Sequence, residues 1–115
     1  MCYTYIIRCK NNTLYTGYTT DIIRRMEEHK LGINSKYTKA KGFDRLEIFF
    51  ESDNKSQAMK LEYYIKKQSK SKKLWIINNP KLFIDEVKDK FQIRIGIINK
   101  SWQFLQKYYN EVESK

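Results

Sequence analysis

Two β-rich segments, CYTYIIRC at residues 2–9 and TLYTGY at 13–18, are separated by only three polar residues, Lys10, Asn11 and Asn12. That gap is too short for a parallel crossover, which takes a dozen residues or more, and it matches the loop of an antiparallel hairpin. The chain is committed to a sheet from its first residues, and every later segment has to pack on that sheet. With 115 residues and one proline, the remainder suits one compact domain.

Thr19, Thr20 and Asp21 come next as candidate N-caps. Ile22, Ile23 and Met26 then give the apolar face of a helix over 21–31, which Gly32 stops. The stretch GINSKYTKAKGFDR, from Gly32 to Arg45, lacks periodicity and reads as a basic loop with Tyr37 among its lysines. LEIFFES at 46–52 is a third strand. Ser52, Asp53 or Asn54 can cap a long helix in which Ala58, Leu61, and Tyr64 or Ile65 recur at helical spacing, followed by a basic patch from Lys66 to Lys73.

Asn78, Asn79 and Pro80 punctuate the chain, because the residue before a proline is pushed away from helix. A boundary is therefore expected near residue 79. Beyond it, Phe83, Ile84, Val87 and Phe91 form the face of a short helix, and IRIGII alternates like a strand or a buried connector. Ser101 is placed to cap a helix packed through Trp102, Leu105, Tyr109 and Val112. This 80–115 segment reads as a mostly helical C-terminal extension.

The net charge is +10, unevenly placed: residues 1–79 hold 16 Lys/Arg against 8 Asp/Glu, and residues 80–115 hold 7 against 5. A small protein with such an excess attracts polyanions, nucleic acid foremost, since phosphate contacts dominate such binding. The sequence has no apolar run long enough for a membrane span and opens without a basic lead and cleavage site. Cys2 and Cys9 lie an odd number of residues apart on one strand, so they face opposite sides and do not bond to each other. Reduced thiols in a cytoplasmic protein are the expectation, and two cysteines with one histidine do not make the usual four-ligand zinc site.

Asp21, Arg25 and His29 recur every four residues and stand in a row on one helix surface. Such a row serves equally as a solvated face with an Asp21–Arg25 pair. Tyr5 and Tyr15 lie on either side of the hairpin turn, so parity alone does not say whether they share a face, and strand tyrosines often fill a core. Glu62 is at the favourable i, i+4 spacing to pair with Lys66 on a helix surface.

Taken in order, Tyr3-Thr4-Tyr5, Tyr15-Thr16-Gly17, Thr20-Asp21, Arg24-Arg25, His29, Gly32, Lys36-Tyr37-Thr38 and Ala58 to Glu62 with Ile65-Lys66 resemble the GIY-YIG nuclease domain. More narrowly, they resemble its small standalone bacterial-type subgroup. The likeness covers residues 1–79. It implies an α/β (α+β) fold with a three-stranded antiparallel sheet flanked by helices, a metal-dependent phosphodiesterase activity, and DNA as the usual substrate.

The resemblance places Tyr5 and Tyr15 at the two motif tyrosines, Arg25 at the helix arginine, His29 at the following histidine and Glu62 at the metal-binding glutamate. Asn78 is a candidate for the asparagine that often follows the glutamate. Tyr3 stands where the motif name has glycine and Thr16 where it has isoleucine, and neither change removes a reacting group.

Phosphodiester hydrolysis needs an attacking water, stabilisation of phosphorane-like charge and help for the leaving oxygen. Tyr5 is then the general base, which Arg25, nearby lysines or the metal must make more acidic, since tyrosine ordinarily titrates near 10. Tyr15 orients water or phosphate, Arg25 grips non-bridging oxygens, His29 positions or assists, and Glu62 holds one Mg²⁺ or Mn²⁺. Arg24, Lys36, Tyr37, Lys39, Lys41, Lys66, Lys67 and Lys70 are the candidate nucleic-acid contacts.

The leading expectation is thus a divalent-metal-dependent DNA endonuclease. One alternative is a nucleic-acid-binding module with weak or no cleavage. Another is an accessory subunit docking a protein partner through Trp102, Phe104, Tyr108 and Tyr109. Nothing in the motif reads the sugar, so RNA stays open as a substrate. Repair, recombination, mobile-element and restriction-type roles all use this chemistry.

Overall fold

A computed structural model describes residues 1–94 of the chain. Its elements run β1 (Cys2–Cys9), β2 (Leu14–Thr19), α1 (Ile22–Leu31), α2 (Lys36–Lys41), β3 (Phe43–Ser52), α3 (Lys55–Lys66), α4 (Lys70–Asn78), α5 (Pro80–Val87) and β4 (Ile93–Arg94). The hairpin forms where the polar gap lies. The Cys9 amide donates to the Thr13 carbonyl (2.9 Å) and the Asn12 amide to the Cys9 carbonyl (2.9 Å). Asn12 takes φ +67°, a left-handed conformation that asparagine tolerates better than most residues.

The sheet has the order β2-β1-β3-β4 with all neighbours antiparallel. Four strands replace the expected three, because Arg94 and Ile93 pair with Glu51 and Ser52 at the end of β3. Arg94 adds ion pairs to Asp53 (2.8 Å) and Glu51 (3.6 Å). The added strand lies beyond residue 79, where the family resemblance ended. The expected helix with Ser101, Trp102, Phe104, Leu105, Tyr108, Tyr109 and Val112 falls outside the described residues.

β1 is covered on both faces, which is why Thr4, Tyr5, Ile6 and Ile7 are buried in unbroken succession. An antiparallel strand with one wet face would alternate instead. On one face Tyr5, Ile7 and Cys9 cluster with Ile22 and Met26 of α1 and with Phe43, Leu46 and Phe49 of β3. On the other, Ile6, Ile48 and Phe50 pack with Leu61 and Ile65 of α3, Ile76 of α4, and Phe83 and Val87 of α5. Register shifts between Ile6 and Ile7, and between Arg8 and Cys9, leave Glu47 and Asp44 without direct partners on β1. The two bulges turn Leu46 and Phe43 onto the same face as Phe49 although each step is three residues, an odd number. Both cysteines are buried free thiols.

Helix α1 is bounded as its sequence predicts. The Asp21 side chain accepts from the Arg24 amide, and Gly32 at φ +70° closes the C-terminus. The expected basic loop, by contrast, contains α2, capped by Ser35 accepting from the Thr38 amide and ended by Gly42 at φ +76°. Six residues are too few to display a helical period, so only the cap and the glycine betray it. The Lys66–Lys73 patch is likewise mostly helical, spanning the end of α3 and the start of α4, where Ser69 caps the second helix.

Because Phe83 is fully buried against Phe50 and Tyr64, α5 is part of the core beneath the sheet. Phe83→Ala is expected to destabilise the protein by about 3–5 kcal/mol, measured as the shift of the urea midpoint. Retention of the wild-type midpoint would contradict this packing.

Candidate active site

The register of the hairpin settles what parity left open. Tyr5 lies opposite Gly17 and Ile7 opposite Tyr15, so Tyr5 and Tyr15 project from the same face, the one that α1 covers. Gly17 is required here by close approach. A Cβ at residue 17 would overlap Oη and Cζ of Tyr5, whose ring lies across it. The glycine of Tyr15-Thr16-Gly17 therefore makes the bed for the Tyr5 ring.

The Tyr5 oxygen meets two residues of α1 one turn apart. His29 Nε2 lies 2.6 Å from it, and Arg25 Nε donates to it at 3.3 Å. Arg25 is held in turn by Nη1 donating to Glu28 Oε1 (3.2 Å) and to the Asn34 carbonyl (3.0 Å), while Asn34 Nδ2 donates to Glu28 Oε2 (2.7 Å). On the far side of the imidazole, Nδ1 lies 3.1 Å from Thr38 Oγ1. The ring is packed edge-on to Tyr5 and Tyr15 and stacked on Phe43. Tyr37 stacks on Tyr15 with ring centroids 4.9 Å apart and donates to Thr13 Oγ1 (2.8 Å), which ties α2 to the hairpin.

Glu62 arrives from the other layer. Thr4, the neighbour of Tyr5, points to the opposite face and donates to the Ala58 carbonyl at 2.7 Å, the same carbonyl that accepts the amide of residue 62 in a regular helix. Consecutive residues of β1 thus index both Tyr5 and the turn that carries Glu62. The Glu62 carboxylate is half-buried, 3.8 Å from Lys66 Nζ, and its charge is felt at Tyr5. Lys66 Nζ also sits 5.8 Å from the centre of the Tyr15 ring.

Electrostatically the site differs from expectation. Burial pushes the Tyr5 phenol up to about 12, outweighing the hydrogen bond and charge of Arg25, which act downward. His29, 0% exposed, is pushed down to about 4, by burial first and then by Arg25. Both groups are therefore neutral at pH 7.

Tyr5, Tyr15, Arg25, His29 and Glu62 are thus brought around one locus. Of the other predicted residues, Arg24, Lys36, Lys39, Lys41, Lys66, Lys67 and Lys70 are exposed. Lys70 Nζ donates to the Asn12 carbonyl (2.9 Å) and Lys67 Nζ sits 4.1 Å from the centre of the Tyr63 ring. Asn78 is exposed at the end of α4, and none of the site's hydrogen bonds reaches it. Sequence reasoning missed Thr38, Asn34 and Glu28 as partners of His29 and Arg25. The i, i+3 spacing of Arg25 and Glu28 was a readable signal, whereas Asn34 and Thr38 enter only through the fold of α2 onto α1.

Among the described residues no group of three or more His, Cys, Asp and Glu gathers as a ready metal cage. Among the described residues Glu62 is the carboxylate whose charge acts on Tyr5. That fits a divalent cation such as Mg²⁺, which keeps several waters and takes one or two carboxylates together with substrate phosphate.

The sequence profile of the GIY-YIG catalytic domain matches residues 1–74. UPF0213 protein CPE1444 of Clostridium perfringens is 40% identical over 79 residues, covering 69% of this chain and 85% of that protein. UPF0213 protein FN1575 of Fusobacterium nucleatum is 39% identical over 93 residues, covering 81% and 93%. The solution NMR structure of the UPF0213 protein BH0048 from Bacillus halodurans has 40% identity and a TM-score of 0.45, covering 68% of this chain and 84% of that one.

Two outcomes are expected from this packing. Gly17→Ala drives the Tyr5 ring from its bed and destabilises the fold by about 1–3 kcal/mol, read by urea unfolding; an unchanged midpoint would show that the ring is not seated there. For His29, the unfolded chain binds a proton near its usual 6.5 while the folded chain resists it down to about 4. Stability contributed by the neutral ring is thus complete above pH 6.5 and lost as pH falls from 6.5 towards 4, by up to about 3 kcal/mol. His29→Gln should flatten that slope, and an equal slope in both proteins would refute the assignment.

Proposed function

This chain belongs to the GIY-YIG catalytic domain family, and on that footing we propose that it is a divalent-metal-dependent endonuclease hydrolysing DNA phosphodiester bonds. The observation that carries the reading is the convergence of Tyr5, His29 and Arg25 on one phenolic oxygen, beside a tyrosine and a carboxylate supplied by other elements. A protein that only bound polyanions would need the exposed lysines and not this buried arrangement.

In this reading Tyr5 takes the proton of the attacking water. Since the free site holds it as a phenol, the working base is the phenolate, formed as its proton leaves to solvent. His29 is too weakly basic in this pocket to accept that proton. Its role is instead to hold the Tyr5 hydroxyl, 2.6 Å from Nε2, while Arg25 Nε donates beside it to the oxygen on which charge develops.

Arg25 Nε and Nη1 are engaged by Tyr5, Glu28 and Asn34, which leaves Nη2 for a non-bridging phosphate oxygen. Tyr15, braced by Tyr37, orients water or phosphate. Glu62 is the residue that would hold Mg²⁺ or Mn²⁺, and such an ion, when bound, supplies stabilisation of the leaving oxygen. The exposed Arg24, Lys36, Lys39, Lys41, Lys66, Lys67 and Lys70 guide the nucleic-acid backbone. Among the described residues the site offers no group that would tell DNA from RNA.

Nicking of supercoiled plasmid with Mg²⁺ or Mn²⁺ tests the proposal. Cleavage is expected in wild type, lost with chelator and lowered at least about a hundredfold in Tyr5→Phe and Glu62→Gln, with DNA binding retained. With a phenol as the source of the base, the rate should climb with pH above neutrality, roughly tenfold per unit until the phenol titrates. DNA binding without any cut, across branched and flapped substrates as well, would replace this reading with that of a binding module.

A further inference from the structure

Among the tyrosines of the described residues only Tyr63 is exposed, at 62%. Tyr3, Tyr5, Tyr15, Tyr37 and Tyr64 all pack against one or other core cluster. Tyr63 directly follows Glu62 in α3 and stands about 100° round the helix from it. The buried residues of α3 are Ala58, Leu61 and Ile65, and on a helical projection Tyr63 lies opposite them, so no core contact accounts for it. Met59, Tyr63 and Lys67 recur every four residues as one ridge, and Glu62 and Lys66 form the ridge beside it.

The surroundings of the ring are cationic. Lys67 Nζ sits 4.1 Å from its centre, within cation–π range, yet the residue keeps enough exposed surface for a further flat partner. Met59, one turn earlier, is 46% exposed. The exposed residues of α3 include Lys55, Lys60 and Lys66 and no acid. A single apolar residue on a surface is ordinary. An accessible aromatic ring in a field of lysines, one residue from the candidate cation ligand, is the combination by which proteins hold unpaired nucleotides: the cations track phosphates and the ring takes a base. In a continuous duplex each base is already stacked between its neighbours, so only an unpaired base has a face to give.

We propose that Tyr63 is a stacking platform for an unpaired base beside the scissile phosphate, with Lys66 and Lys67 contacting the phosphates of that strand. The substrate class is then nucleic acid that is single-stranded at the cut, as at a flap, gap or branch, in preference to continuous duplex. The assignment to a cut strand rests on the nuclease reading of the neighbouring Glu62, whereas the stacking of a base on Tyr63 does not.

The first test needs no cleavage. Binding of the full-length protein is measured in chelator to a short oligothymidine strand, to a blunt duplex and to a fully abasic strand of the same length. Tyr63→Ala should weaken binding to oligothymidine about fivefold to a hundredfold, the worth of one base–aromatic stack, and leave the other two probes within about twofold. Tyr63→Phe, which keeps the ring and removes the hydroxyl, should bind as wild type does. An unchanged affinity of Tyr63→Ala for oligothymidine overturns the proposal, as does an equal loss on all three probes or a phenylalanine variant as weak as alanine.

With Mg²⁺ present, wild type should cut a flapped oligonucleotide at its branch faster than a linear duplex, and Tyr63→Ala should shrink that preference by the factor lost in binding. Preference for the duplex in wild type, or an undiminished flap preference in Tyr63→Ala, overturns the substrate class. If wild type cuts neither probe, the nuclease reading has failed, and the stacking of a base on Tyr63 is decided by the binding result.

Discussion

Burial of β1 on both faces is the constraint on which the site depends. Thr4 and Tyr5 are adjacent, fully enclosed and directed to opposite sides of the sheet, so each polar group has to find its partner inside the protein. Thr4 finds a helix carbonyl of α3 and Tyr5 finds the side chains of α1. Two neighbouring residues on one strand thereby fasten both helical layers in register. The cation of Arg25 is then set at the Tyr5 hydroxyl, and Glu62 close enough for its charge to act on it, without any loop having to carry them.

The same enclosure sets the electrostatics. A phenol in contact with an arginine would, in water, be the more acidic for it, yet here desolvation outweighs the guanidinium and the phenol is held neutral. His29 is driven the opposite way, by burial first and then by Arg25, which acts downward on both groups. The pair is therefore uncharged at rest, and the polar ring around it (Arg25 with Glu28 and Asn34, His29 with Thr38) is fixed in place before any phosphate arrives. Such an arrangement needs little reorganisation when charge develops.

Parts of this were legible in the residues. The hairpin, the capped and glycine-stopped α1, the row of Arg25 and His29 one turn apart, and the helical spacing around Glu62 are local patterns set by nearest neighbours along the chain. What stayed hidden was short or distant. Six residues of α2 display no period, β4 is a two-residue pairing separated from its partner by some forty positions, and Thr38 looks like any polar loop residue until α2 folds onto α1. The acidity expected of Tyr5 from its cationic company was reversed because a sequence records which charges exist and not how far water is kept from them.

The amino-acid sequence by itself determined the identities of the candidate site residues, their order, and the local elements that carry them, because turns, caps and periodicities depend on a few contiguous residues. Only the tertiary structure decided that Tyr5 and Tyr15 share a face, that Gly17 is the bed of a tyrosine ring, that Thr4 aligns Glu62, and that both titrating groups rest neutral. Each of those depends on strand register or on burial, and both arise only when segments far apart in the chain exclude water from one another.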